Sequence, residues 1–337
     1  MTKTLLKFAS MLLAASFCVN FISCNDDDEK NGKQDGGGDI QSSVVPSGAF
    51  SVAEYKYVKF SPGNLQYSAQ GTHRCADGSI KNGIWRFAPN QYDMIGNDNE
   101  NISSSYTGWI DLFGWGTSGY HNPGDSYNVN YNPYSTSASR VDFEYNHFGY
   151  GPSSIMLDGD LTGASAYYDW GVYNTIGVDD PGTWRTLSQS EWKYLFRVRP
   201  NAENLFGVAM VNGVNGLILL PDNWITPSEI SFTAGCSSSG GSSSGGYYKM
   251  LNNYTLNQWK TMEDNGAVFF PAAGERIGNN VDFVGFYGYY WSTTRFSDNA
   301  CYISCLKFDS GLVSAILYHG DIDSRSGISV RLVKDVE

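Results

Sequence analysis

The chain has 337 residues, with 34 acidic against 22 basic side chains and a net charge of −12 at neutral pH. That balance excludes nucleic acid and anionic membrane surfaces as favoured partners, because both repel an acidic face. Aromatic residues (15%) nearly match charged ones (17%), and with 38 glycines they describe a loop-rich, aromatic-packed chain rather than a helical bundle.

At the N-terminus, Lys3 and Lys7 precede an apolar run from Phe8 to Ile22, broken by Asn20. The run is too short to cross a bilayer and fits a secretory signal. It closes on Phe21-Ile22-Ser23-Cys24, which resembles a bacterial lipobox, whose cysteine is acylated after cleavage. Ser23 has the small size such a site needs, while Ile22 is bulkier than usual. The pattern predicts a lipoprotein signal peptide over residues 1–23 and lipidation, of the palmitate type, at Cys24. Asn25-Asp-Asp-Asp-Glu29 resembles the acidic export signal of surface lipoproteins in Bacteroidota-type bacteria. An ordinary signal peptide with a coincidental cysteine, and an acidic run that merely solvates, are the plainer alternatives. Residues 24–45 are polar and Gly-rich and read as a flexible tether. No second apolar run can span a bilayer. The expected location is the outer membrane, lipid-anchored and facing the cell exterior.

Residues 46–337 read as a single domain without an internal repeat. Candidate strands are Tyr55 to Phe60, Ile84 to Ala88, Gly216 to Leu220, Ala267 to Pro271, Tyr289 to Thr293, Ala300 to Phe308 and Ser329 to Val333. Two helices announce themselves by capping boxes. Ser188 with Glu191 opens a helix whose apolar face is Trp192, Leu195 and Phe196. Thr255 with Gln258 opens another, with Leu256, Trp259 and Met262 as its stripe and Gly266 where a left-handed C-terminal cap belongs. Ser237 to Gly246 is a Ser/Gly low-complexity loop.

Ionisable groups that would carry chemistry are sparse. Cys75, Cys236, Cys301 and Cys305 remain once the signal is removed and Cys24 is acylated. On a strand from Ala300 to Phe308, Cys301 and Cys305 share a face but stand roughly 13 Å apart, at about 3.3 Å per residue. That is too far for a disulfide. His73, His121, His147 and His319 are scattered, with no zinc-type pairing to cysteine. No catalytic residue, metal ligand or cofactor is expected, and a structural calcium stays open.

The tail carries the strongest functional signal. Gly288-Tyr-Tyr-Trp-Ser-Thr-Thr294 and Arg325-Ser-Gly-Ile-Ser-Val-Arg-Leu-Val333 look like fixed framework. Between them lie small, polar and aromatic residues without a period. A fixed frame around a permissive middle points to a display surface. Arg295 to Asn299 and Tyr318 to Ser324 are its two irregular runs. The expected ligand-binding residues are Arg295, Phe296, Asp298, Tyr302, Tyr318, His319, Asp321, Asp323 and Ser324. The aromatics would serve as rigid anchors and the polar side chains as adjustable contacts.

A set of motifs then resembles a family. Tyr57-Val-Lys-Phe-Ser-Pro-Gly-Asn-Leu-Gln-Tyr67, Trp85-Arg-Phe87, Asp111-Leu-Phe-Gly-Trp-Gly-Thr-Ser-Gly-Tyr120, Asp169-Trp-Gly171 and Trp184-Arg-Thr-Leu187 stand in that order. Glu191-Trp192, Gly216-Leu-Ile-Leu-Leu-Pro-Asp222, Gly266-Ala-Val-Phe-Phe-Pro-Ala-Ala-Gly274, Tyr290-Trp-Ser-Thr293 and Ser329-Val-Arg-Leu-Val333 follow. Together they resemble the Fibrobacter succinogenes major paralogous domain of Bacteroidota surface lipoproteins, over roughly Val52 to Val333. The resemblance implies an α+β domain of the C-type-lectin-like fold, formylglycine-generating-enzyme branch. Its features would be two helices, a small twisted antiparallel sheet, long loops and chain ends close together.

Three functions compete under that resemblance. The first is an adhesin-like domain, not an enzyme, that binds an unknown protein or glycan at the cell surface through its C-terminal segment. That segment also resembles targets of diversity-generating retroelements, which randomise adenines, often in AAC codons. Gln, Glu, Lys, Met and Trp are then out of reach. These types make up 45 of the 337 residues, yet only Lys307 falls between Arg295 and Val333. Strand and turn composition depletes the same types, so an undiversified domain stays open. The second function is carbohydrate binding without diversification, with Trp109, Trp115 and Trp170 either stacking on sugars or packing in the core. The calcium-lectin motifs are absent, and Pro221-Asp222-Asn223 reads as a turn. The third is a cysteine-oxidising enzyme of the formylglycine-generating type. It needs converging thiols, and the spacing of Cys301 and Cys305 does not offer them.

Overall fold

The structure, a computed structural model, describes residues 45–103, 105–121, 132–134, 160–236, 247–295, 303–314 and 322–336. Residues 43–337 form one compact unit. Cys24 and the predicted signal, tether and Ser/Gly loop lie outside the described residues. Among the described residues no helix is long and apolar enough to cross a membrane.

The chain begins with β1 (Phe50–Ala53) and β2 (Lys56–Phe60), then the long hairpin of β3 (Leu65–Arg74) and β4 (Ile80–Phe87). A short helix α1 (Trp170–Tyr173) precedes α2 (Gln189–Lys193), and β5 (Phe206–Val211) and β6 (Val214–Leu219) form a second hairpin. Then come α3 (Tyr248–Leu251), β7 (Asn253–Tyr254), α4 (Leu256–Asp264), β8 (Val268–Pro271), β9 (Glu275–Ile277) and β10 (Asn280–Asp282). The C-terminal elements are β11 (Gly288–Arg295), β12 (Ile303–Phe308), β13 (Val313–Ser314) and β14 (Val333–Val336).

The architecture is α+β, but among the described residues its strands form five small sheets rather than the single small sheet expected. β7-β5-β6-β8 is the largest, with a parallel β5–β7 pair. β14 pairs antiparallel with β2, Val336 opposite Tyr57, so the two ends of the described domain lie side by side.

Both capping boxes form. The Ser188 hydroxyl accepts from the Glu191 backbone N–H, and Glu191 returns a carboxylate to the Ser188 N–H at 2.8 Å. Trp192, Leu195 and Phe196 are buried as the periodicity requires. After Lys193 the helix widens into a π turn over Tyr194–Val198. Thr255 and Gln258 repeat the box on α4. There Trp259 and Met262 are buried but Leu256 is 48% exposed, correcting its place in the stripe. Leu256 opens the first turn and does not join the buried cluster that takes Trp259 and Met262. Gly266 closes α4 with φ +92°, and Ala267 and Gly266 donate to the carbonyls of Met262 and Glu263. That crossed pair is a Schellman cap, which a left-handed glycine makes without strain.

Of the expected strand Ser329 to Val333, only Val333 lies in one, as the first residue of β14. The segment is extended, but its backbone bonds go to different partners in turn: Ile328 to Phe113, Ser329 to Tyr289, and the carbonyls of Val330 and Leu332 to Leu65 and Ser61. It threads between sheets instead of adding to one. Apolar side chains gather in three clusters. The first joins Tyr67, Trp85, Phe113, Trp115, Trp170 and Trp291 to Leu161, Ile303 and Ile322.

Candidate binding face

The frame of the tail is β11, buried along nearly its whole length. Trp291 and Tyr290 are tied at their polar tips, as buried aromatics require. Trp291 Nε1 donates to the Phe113 carbonyl at 2.6 Å, and Tyr290 donates to the Pro271 carbonyl at 2.8 Å. Trp115 Nε1 reaches the Ser292 carbonyl at 2.7 Å. Gly288 is required by packing, because a Cβ there would lie 2.0 Å from the Phe308 ring. Cys305 faces Trp291 across the strand pair.

At one end of this frame the flanks of the irregular runs come together. Arg295 pairs with Ile303 across a bulge, so the run between them leaves and returns at the same place. The Ile303 N–H donates to the Ile322 carbonyl at 3.2 Å, which brings the far end of the second run to that point. Arg295 N–H donates to Asp160 Oδ1 at 3.0 Å, and Leu161 N–H donates to the Thr293 carbonyl at 2.9 Å. Residues 160, 295, 303 and 322 thus mark segment ends that meet at one rim, while Ser314, which precedes the second run, pairs with Lys307 farther along β12. Leu161, Ile303 and Ile322 are 2–3% exposed and pin those flanks to the core.

Of the expected ligand-binding residues, Arg295, Asp323 and Ser324 lie within the described structure. Arg295 is half-buried at the rim. Asp323 is half-buried and closes a local loop, accepting from the Arg325 backbone N–H and pairing with the Arg325 guanidinium. Burial raises its carboxyl above the ordinary range, with the Arg325 contacts opposing. Ser324 is 1% exposed and its carbonyl accepts from Trp115 N–H at 2.8 Å. It is frame, not surface, which corrects its expected role. Phe296, Asp298, Tyr302, Tyr318, His319 and Asp321 lie outside the described residues.

A cleft of about 590 Å³ opens beside the rim, with Leu161 and Thr293 on one wall and Lys56, Thr162 and Tyr194 among its other lining residues. Its central charges satisfy one another. Arg185 bonds both Glu191 oxygens at 2.8 and 3.0 Å and reaches Asp335 at 2.7 Å. Those bonds hold Asp335 below the usual carboxylate range. A guanidinium committed to two carboxylates organises a wall and leaves little for acid–base chemistry. Sequence reasoning missed this cleft, because the contacts of Arg185 with Asp335 and of Leu161 with Thr293 are long-range.

The other candidates resolve by burial. Trp115 and Trp170 are core residues, and the Arg86 guanidinium lies 3.5 Å from the Trp109 ring centroid. Pro221 to Trp224 is a turn, as expected, and Asp222 is engaged by Arg199 at 2.8 Å and by the Ser51 N–H. Cys75, Cys236 and Cys305 are free thiols, and burial raises Cys305 well above its ordinary value. Cys301 lies outside the described residues. Among the described residues no three His, Cys, Asp or Glu side chains converge as a metal site.

Comparison with protein-family models, characterised proteins and solved structures finds no match.

Proposed function

We propose that this chain is a surface lipoprotein, anchored through Cys24, whose domain binds a protein or glycan at a face made from its C-terminal runs. The observation that carries this is the rim. Arg295, Ile303, Ile322 and Asp160 are joined by hydrogen bonds, the Asp160 side chain accepting from the Arg295 N–H, so segments far apart in sequence are held at one place by a rigid frame. Loops set on a rigid frame are the usual home of recognition. The chain-end pairing of β2 with β14 and the two capped helices support the C-type-lectin-like fold of the formylglycine-generating-enzyme branch.

Cys305 lies in the core opposite Trp291, out of a substrate's reach, which favours binding over cysteine oxidation. Covered or buried faces on Trp109, Trp115 and Trp170 disfavour sugar stacking at those three residues.

Anchoring, binding and diversification are each tested separately. Cys24→Ala should move the protein from the membrane fraction to the soluble one. Replacing Asp26 to Glu29 with neutral residues should leave it membrane-bound but shielded from external protease. Full protease access of that variant would overturn the export signal. For the binding face, surface-exposed cells should lose ligand capture when residues 296–299 or 318–321 are replaced by Gly/Ser. Unchanged capture would move the site elsewhere. A near-repeat of the coding region for Gly288 to Val333, beside a reverse transcriptase, would establish diversification.

A further inference from the structure

We propose that His73, Cys75 and Asn174 form a binding site for a thiophilic cation of the Zn²⁺ class. The site lies at the end of β3, remote in sequence from the C-terminal runs, and is independent of the function proposed above. Its origin is local. His73 and Cys75 are two residues apart in extended chain, so their side chains emerge on one face. The backbone then adds a third group: Thr175 N–H donates to the Arg74 carbonyl at 3.0 Å and Ala76 N–H to the Tyr173 carbonyl at 2.8 Å. This pairing sets Asn174 opposite Cys75.

Three electron-pair donors converge there. His73 Nε2 lies 2.8 Å from Asn174 Oδ1 and 3.6 Å from Cys75 Sγ, and Sγ lies 3.8 Å from Asn174 Oδ1. The identity of the amide oxygen is fixed, because Asn174 Nδ2 donates to the Ser118 and Trp170 carbonyls, both at 3.0 Å. The other ring nitrogen, His73 Nδ1, sits 2.8 Å from the Gly83 carbonyl. A metal-ligating histidine is characteristically oriented in this way, with its second N–H on a backbone carbonyl and the free nitrogen aimed at the ion. With Nδ1–H on that carbonyl, Nε2 turns its lone pair toward Cys75 and Asn174, and the Cys75 thiol donates its proton to Asn174 Oδ1. A metal ion would take the place of that thiol proton, which leaves to solvent as the ion binds.

The separations suit a metal. With Zn–N of about 2.05 Å, Zn–S of about 2.3 Å and Zn–O of about 2.1 Å, tetrahedral angles place N and S about 3.6 Å apart. The same geometry puts S and O about 3.6 Å apart and N and O about 3.4 Å apart. The two sulfur separations here agree within about 0.2 Å. The N–O separation must open by about 0.6 Å, within reach of a side-chain rotation of half-buried His73. The ion would leave one position for water. Asp77, Lys81, Ser79 and Tyr173 surround the thiol, and Asp77 is already held by Tyr173 at 3.0 Å. The donor set is nitrogen, sulfur and an amide oxygen, which suits a borderline cation and not calcium or magnesium.

The test is a Co²⁺ titration of the full chain in detergent, after chelator treatment, under reducing anaerobic conditions. One equivalent should give a thiolate-to-cobalt charge-transfer band and tetrahedral d–d bands, displaced by Zn²⁺. Cys75→Ser and His73→Gln should each weaken binding by about a hundredfold or more, since even outer partners of a ligand typically give about 10–100-fold. Cys305→Ser and Cys24→Ala should leave the band in place. If Cys75→Ser does not fold, His73→Gln decides, with the rise of melting temperature on adding Zn²⁺ as a second readout. Absence of the band in the folded wild type overturns the proposal. So does a band that survives either ligand substitution.

Discussion

Asp111 offers a pH experiment whose sign follows from the structure. Its side chain is fully buried, and that burial pushes its carboxyl up to about 6 from an ordinary 3.8. The Ile95 N–H at 2.9 Å and Asn99 Nδ2 at 2.8 Å lower it again but do not cancel the effect. The folded state therefore holds the proton at pH values where the unfolded chain has lost it. Stability falls as pH rises through the window from about 4 to about 6 and is flat above it. A shift of about 2 units corresponds to about 3 kcal/mol. Asp111→Asn removes the titration while keeping the shape. Denaturant unfolding of both proteins at pH 4, 5, 6 and 7 gives the assay. The stability of the variant relative to wild type should improve by about 3 kcal/mol from pH 4 to pH 7. A flat difference, or one of opposite sign, would refute the burial argument.

Three further outcomes follow from single contacts. Asp222→Ala should cost about 3–5 kcal/mol in denaturant unfolding, because it strands the fully buried Arg199 guanidinium; a cost under about 1 kcal/mol would show the pair to be dispensable. Gly288→Ala should cost about 1–3 kcal/mol through the clash with the Phe308 ring, and Phe308→Leu should recover part of that loss in a double-mutant cycle. Additive effects would mean the clash is relieved elsewhere. Thr255→Ala should lower stability by about 1 kcal/mol by removing the hydroxyl that caps α4, and an unchanged melting temperature would contradict that role.

What could be read from the sequence was what is local. Ser188-Gln-Ser-Glu191 and Thr255-Leu-Asn-Gln258 specify their own helix starts, and Gly266 its helix end, through contacts within a few residues. Strands with continuous apolar or aromatic character, such as β6, β8 and β11, were equally visible. β3 was not, because from Ala69 to Arg74 it is polar and largely exposed. β14 was hidden by its charges, Lys334 and Asp335, which face outward while β2 supplies the pairing. Ser329 to Val333 has strand composition yet serves several partners, a choice made by tertiary packing and not by propensity. For the candidate site, the framework ends were legible and the rim was not. Nothing near Arg295 in sequence announces Asp160, and nothing near Ile303 announces Ile322. Ser324 looked like loop and is core, because the Trp115 backbone claims its carbonyl.

The central claim is that a rigid frame carries tolerant runs, and thermal melts of two sets of variants test it most directly. Ile303→Ala and Ile322→Ala remove buried anchors of the frame and should each cost about 2–5 kcal/mol. Tyr318→Ala, His319→Ala and Asp321→Ala, within the second run, should each change stability by no more than about 0.5 kcal/mol. Losses of several kcal/mol at all three run positions would make that segment core, and the display face would be contradicted.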